Sequence, residues 1–403
     1  MNIKDPFLWS FGWWVENDKA WFIEEKNNIL FCVDLKTRKY EEVVYIPDTN
    51  LNKYLLTPLC MKYDREIWCI PGRGQSIWIY HLDDMNFRTI DFEALGRKNL
   101  LAKFFIWNDS LFIVPLWWDK IVEINLQKKE IENYHTICKK DIVVESVMAA
   151  GSIYMVSSKF DKIYEFDLKQ KMIKRHMIPN DDKKKYQCIC FDGEKFWLSG
   201  YRKEVYEWNK RDNRITTITG FPSDFGVYDF SENTHAQPDC SVNCYEYPSF
   251  LHVVAMGNYV WFIPWQTNKI LYIDKKTYEI SVYEIDEEQE NRKSILSRAA
   301  GRKCKYGVAY LRNDRYIGLL SVKNNCVLEI DTKELKHQWI DYYYSEKCLQ
   351  QCRKIFKGVY FEKDVLQTMI YKTELQNEDK TDGVDADYVG GKIYRAGRDC
   401  IFR

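Results

Sequence analysis

One pattern of residues occurs seven times along the chain: a short apolar run, a polar turn, an aromatic-rich run, a second turn, an apolar run closing on Asp or Asn, and a final alternating strand. The clearest copies span 21–35, 112–126, 154–168 and 261–274, and fainter ones begin at Trp68, Trp197 and Ile317. Taking Trp21, Trp68, Phe112, Tyr154, Trp197, Trp261 and Ile317 as markers, the spacings are 47, 44, 42, 43, 64 and 56 residues. A period in the forties built only from strand-like runs is one propeller blade, because a lone four-stranded sheet cannot bury both faces and must stack on its neighbours. The expected fold is all-β, a β-propeller of seven blades rather than six or eight, with insertions filling the two long spacings.

A chain of 403 residues, 46% hydrophobic, has enough apolar material for a large core, and a propeller of this length is one domain. Lys plus Arg and Asp plus Glu are 59 each, so no bulk charge draws the chain to nucleic acid or to an anionic membrane, and neither is expected as a partner. The first residues lack a continuous apolar segment with a small-residue cleavage site, and no stretch approaches the roughly 18 apolar residues of a membrane span. The expected location is cytoplasmic. The 13 cysteines agree, being odd in number, with Cys32, Cys69, Cys188, Cys190 and Cys326 falling in strands as small apolar residues.

Each repeat reads as four strands, A to D from the inside outward. In the fourth they are expected at 145–150, 153–157, 162–167 and 172–178, with Gly151-Ser152 as the A–B turn. Asn17-Asp18, Asn108-Asp109, Asp192-Gly193, Gly257-Asn258 and Asn313-Asp314 recur at the equivalent turn, residue types that tolerate positive φ or bond their own backbone. The A–B and C–D turns are short and uniform. The B–C and D–A connections on the opposite face are long and varied, above all 220–249 and 286–303, and long loops on a rigid scaffold are where binding lives.

The pattern breaks near Asp341, which divides the chain into a propeller (1–341) and a C-terminal extension (342–403). Phe361, Val365, Leu366, Met369 and Ile370 share one helical face, so 361–375 reads as an amphipathic helix, followed by a polar stretch and a last strand at 390–395. This short helical tail is expected to pack on the propeller and to help close the ring against the first blade.

Aligning the repeats on the Asx turn gives a column at the start of the inner strands: Gly12, Leu59, Lys103, Glu145, Gln187, His252 and Val308, with Gln187 shifted by one for a longer turn. Four consecutive blades thus offer Lys, Glu, Gln and His at one height of the central funnel, as a polar ligand site, as acid–base partners, or as groups hydrating a wet channel. The B–C loops supply Arg73, Trp117, Trp118, Arg202 and Trp265, indole and guanidinium groups of the kind that dominate binding hot spots. The competing reading of the Trp residues is packing over an adjacent blade.

Other motifs exclude more than they suggest. Cys240 with Cys244, and Cys348 with Cys352, lack further ligands at zinc spacing. The Asp379 to Asp387 cluster places Lys380 and Val389 at calcium-loop ligand positions, so an EF-hand is rejected. Gly72-Arg-Gly74 lacks a third glycine, and no phosphate loop, hydrolase elbow or zinc-protease helix is present.

An aromatic-Phe-Ile/Val run, a short loop, Asn/Asp-Lys-Ile and an apolar strand closing on Asp, as in 261–270 and 112–121, resembles the repeats of the streptogramin (virginiamycin B) lyase-like propellers. The resemblance covers about 10–340 and supports the seven-bladed fold. It implies elimination across an ester by histidines and a glutamate with magnesium on the loop face. Glu145 and His252, with Lys103, are the comparable residues, and the second histidine is missing. Kelch double glycines and the Gly-His and Trp-Asp signatures of WD repeats are absent. The leading expectation is a non-enzymatic binding or scaffold module, without a cofactor, holding a protein, peptide or glycan-like partner through Trp117, Trp118, Trp265, Arg73, Arg202 and Gln187. The alternative is a metal-assisted lyase or hydrolase using Glu145, His252 and Lys103.

Overall fold

Alternation of apolar side chains along each central strand feeds two interfaces at once, and this turns seven separate sheets into a ring. In strand B of the third blade (Ser110–Pro115), Leu111 and Ile113 join a buried cluster with Trp68 and Ile77 of the second blade. Phe112 and Val114, between them in sequence, join Ile153 and Phe166 of the fourth. Seven such clusters occur, each shared by two neighbouring sheets, and the last joins the seventh sheet to the first. Full burial of one large apolar side chain stabilises by about 1.5–3 kcal/mol, so each blade draws a large part of its stability from both neighbours.

The computed structural model describes residues 10, 12–24, 28–47, 59–72, 76–91, 102–115, 118–138, 141, 143–157, 162–178, 186–200, 204–226, 249–264, 267, 269–285, 306–321, 326–348 and 350–351. Among these there are 29 strands, of which 28 form seven antiparallel meanders, each running A-B-C-D in chain order. In the fourth blade the strands are Val143–Ala149, Ser152–Ser157, Lys162–Asp167 and Met172–Met177. The seven-bladed propeller read from the repeat is the fold. The A–B turn of this blade sits one residue earlier than expected: Ala150 and Gly151 take φ of 47° and 76°, and Ser152 already pairs with Ala149. A two-residue hairpin turn with both central residues at positive φ matches the strand twist, and that geometry outweighed the strain on Ala150.

The C–D turns share one geometry. In five blades the Asx that ends strand C accepts backbone N–H groups two and three residues on, as Asp34 does from Lys36 (2.9 Å) and Thr37 (2.6 Å), and Asp274 from Lys276 (2.8 Å) and Thr277 (2.9 Å); Asn209 accepts one, from Arg211, and strand C of the second blade ends on His81. The fourth residue after strand C's last position is left-handed in every blade: Arg38, Met85, Lys129, Lys171, Asn213, Tyr278 and Leu335, with φ between 52° and 61°.

In the first, third, fourth and sixth blades that residue reaches back to the preceding blade. Lys129 bonds Glu66, Lys171 bonds Glu123 and Tyr278 bonds Glu207. Arg38 reaches Glu329 through Gln338, by hydrogen bonds of 3.0 Å each. At the junction of the fourth and fifth blades Lys210 from the same turn bonds Glu165. Leu335 faces this role with an apolar side chain and packs in one cluster with Tyr272. Glu123 also meets His135 (2.7 Å), and Glu165 meets His176 (2.7 Å) and Tyr154 (2.9 Å). Burial alone would raise the Glu165 pKa, but hydrogen bonds from Lys210, His176 and Tyr154 outweigh it and hold the carboxyl at about 2.

The ring is sealed between the seventh and first blades by aromatic rings. Trp13 stacks on Phe22 at 4.3 Å between centroids, with Tyr342 at 5.5 Å and Tyr310 at 5.7 Å. The backbone N–H of Trp13 donates to the Ala309 carbonyl at 2.6 Å. Tyr343–Tyr344 adds to the first blade as a fifth, outermost strand, parallel to Lys39–Tyr45, and Cys348 is buried beneath it. Residues 346–348 and 350–351 are helical; the expected helix at 361–375 and strand at 390–395 lie outside the described residues.

Two outcomes follow. A Cβ on Gly318 would lie 2.5 Å from the Tyr310 ring, so Gly318→Ala should loosen the seal and lower stability by about 1–3 kcal/mol in denaturant unfolding. The depressed Glu165 pKa contributes stability that is full above its ordinary value near 4.5 and is lost as pH falls toward about 2. Burial also lowers His176 despite Glu165, which acts in the same direction. Glu165→Gln should therefore cost roughly 1–3 kcal/mol near neutrality and flatten the loss of stability in acid, read by urea unfolding at several pH values.

Candidate functional site

Strand register sets which residues share one height in the funnel. Lys103 pairs with Val114, Glu145 with Val156, Cys188 with Ser199 and His252 with Ile263, equivalent positions of blades three to six. Leu59 opposite Ile70 and Gly307 opposite Leu320 hold the same register in blades two and seven. The column differs from the sequence alignment at two places: Cys188 stands where Gln187 was expected, and Gly307 where Val308 was. The cause is backbone, because β-bulges interrupt these inner strands. In blades four, five and six the register shifts at Val144, Gln187 and Leu251, each immediately before the column residue. Bulges of this kind bend a strand and re-aim the next side chain.

Lys103 and Glu145 meet across the junction of the third and fourth blades. The Lys103 ammonium lies 2.6 Å from Glu145 Oε1 and donates to the Ser146 carbonyl at 3.2 Å, while the Ser146 N–H donates to the same carboxylate oxygen at 2.8 Å. The carboxylate is buried and the ammonium faces the funnel. His252 is half-buried and has no hydrogen bond or ion pair among the described residues. Burial, with a smaller contribution from the Lys103 charge, pushes its pKa down to about 3, so the imidazole is neutral near pH 7. The Cys188 thiol is buried, donates toward the Phe250 and Leu251 carbonyls (3.3 and 3.4 Å), and is pushed up to about 12 by burial. It is a packing residue rather than a nucleophile.

The resemblance in the sequence implies magnesium. The described residues offer it a poor donor set, since Glu145 is already engaged by an ammonium and no group of three His, Cys, Asp or Glu side chains comes together among them.

Of the loop residues, Trp118 is half-buried, edge-on to Tyr134 at 6.1 Å, with Lys120 Nζ 5.7 Å from its ring. Its indole lies back over its own blade and packs against the apolar cluster shared with the second. Arg73, Trp117, Arg202 and Trp265 lie outside the described residues. So do Cys240, Cys244, Cys352 and the Asp379 to Asp387 cluster, while Cys348 is a free, buried thiol. The insertion between the fifth and sixth blades is rooted beside the His252 strand: Asp224 pairs with Lys269 at 2.7 Å, and Phe225 packs on Phe250 at 5.7 Å.

No family description matches the chain, and no curated protein matches it. Solved structures do. A streptogramin B lyase is 12% identical, with a TM-score of 0.55 over 80% of this chain and 93% of its own. Its fold is that of the streptogramin lyase-like propellers. A catalytically inactive histidine-to-alanine variant of virginiamycin B lyase from Staphylococcus aureus, with quinupristin, is likewise 12% identical, with a TM-score of 0.54 over 82% of this chain and 97% of that one. PorZ, a bacterial surface component of the type-IX secretion system of Porphyromonas gingivalis, is 10% identical, with a TM-score of 0.52 over 84% of this chain and 39% of PorZ. At such identities the likeness is one of fold, and chemistry rests on the residues in the funnel.

Proposed function

We propose that the chain is a non-enzymatic binding module that holds a protein, peptide or glycan-like partner on the loop face, over the mouth of the funnel. One observation carries this reading: neither of the groups best placed for proton transfer is poised for it. Glu145 is engaged by Lys103 and the Ser146 N–H, and His252 is held neutral with a pKa far below neutrality. A general acid or base works best with a pKa near the operating pH, which this imidazole lacks. Binding asks only for a rigid frame and convergent polar groups, both present here. The loop groups Arg73, Trp117, Arg202 and Trp265 are proposed to form the rim of the site, with Trp118 packed beneath it.

The lyase or hydrolase alternative draws on the shared register of Glu145 and His252. One pair of variants separates the two readings. With a partner recovered from native lysate, Trp117→Ala combined with Trp118→Ala should weaken its capture by about 2 kcal/mol or more, while Glu145→Gln changes it little. An enzyme reverses that order, because loss of a catalytic acid or base typically costs about 10²–10⁴-fold in turnover. The proposed location is cytoplasmic, in line with the eight free cysteines among the described residues. Thiol titration of denatured, unreduced protein should recover most of the 13 cysteines, and recovery of fewer than half overturns that placement.

A further inference from the structure

The funnel is one-sided. From the third blade to the sixth its wall carries Lys103, Glu145, the bulge residue Gln187 beside Cys188, and His252. From the seventh blade round to the second it carries Gly307 and Leu59, with Gly12 leading into the first blade between them. A Cβ placed on Gly12 would meet only Leu59 Cδ2, at 3.8 Å, so this side is open as well as apolar. The bulges in blades four to six fall on the polar side, one residue ahead of each column position.

Among the described residues the polar arc also carries no spare charge. The Lys103 ammonium and the Glu145 carboxylate neutralise each other at 2.6 Å. An anionic ligand would have to take Lys103 from Glu145 and leave a buried carboxylate without its partner. A cationic one would have to displace Lys103. The first exchange strands a charge in a desolvated wall, which is costly, and the second gives up one ion pair for another with no net gain. A neutral ligand meets no such penalty. It finds in His252 one ring nitrogen that donates and one that accepts.

We propose that the funnel binds an uncharged, polyhydroxylated ligand, a neutral sugar, seated off the axis against blades three to six. Its hydroxyl edge faces His252 and the Lys103–Glu145 pair, and its apolar ring face turns toward Gly12 and Leu59. This inference rests on the binding-module reading and names the class of its ligand.

The test holds ligand shape fixed and varies charge. Methyl glycosides of neutral hexoses, the matching uronates and the matching amino sugars are titrated at millimolar concentration while the His252 imidazole resonances are followed by NMR. A neutral member should shift those resonances and bind about tenfold more tightly than its charged counterparts. Glu145→Gln leaves Lys103 uncompensated and should turn the preference toward the uronate. Lys103→Met should turn it toward the amino sugar, and serves if the first variant fails to fold. A charged sugar preferred by the unaltered protein, no response to any neutral sugar, or an unchanged preference in both variants overturns the ligand class. Capture of a partner that depends on Trp117 and Trp118 is a separate measurement, so the binding-module reading stands or falls independently.

Discussion

A strand whose alternate residues are all apolar has two faces to hide, and a meander of four such strands can hide neither by itself. Every blade here depends on that constraint. Phe112 and Val114 are as buried as Leu111 and Ile113, though they point in opposite directions. Seven blades satisfy one another only when the last meets the first, and the aromatic seal around Trp13 is therefore as much a part of the core as any single sheet. The apolar interfaces supply most of the attraction but little positional information, because dispersion and burial tolerate sliding. The glutamates answered by side chains from the next blade's turn supply what burial lacks, a directional contact that fixes how far one sheet is rotated against another.

Much of this was legible in the sequence. The repeat gave the number of blades, and period-two alternation gave the strands, because both reflect a strong local pattern with a single geometric solution. The glutamate column was equally visible: Glu123, Glu165, Glu207 and Glu329 each stand two residues before the Asx that ends strand C. A glutamate in an apolar run looks like an outward-facing residue until its partner is known, and the partner lies in the following repeat. The bulges left no comparable trace. Val144, Gln187 and Leu251 share no chemistry, and a bulge arises from pairing between strands rather than from preference within one. Gln187 and Cys188 therefore exchanged places in the funnel column, although the arc of Lys103, Glu145 and His252 stood out in the linear chain.

The inner wall brings Lys103, Glu145 and His252 to one height on a fold shared with lyase propellers at 12% identity, and the fold alone assigns those groups no chemistry. Their state is set by their immediate neighbours, one ammonium on a carboxylate and one half-buried imidazole without a hydrogen-bond partner among the described residues. Neighbouring charge and burial decide whether a histidine is a base or a hydrogen-bonding wall.

The seal between the first and seventh blades has a consequence in time. Arg38 waits for Gln338 across a separation of 300 residues. At ribosomal speeds of about 5–20 residues per second, that interval is roughly 15–60 s. Throughout it the indole of Trp13 and the rings of Phe22 and Phe31 have no seventh blade against which to rest. The nascent first sheet is thus a sticky surface during much of translation, and a chaperone that shields an amino-terminal aromatic patch until the carboxy-terminal tyrosines emerge would find its substrate here.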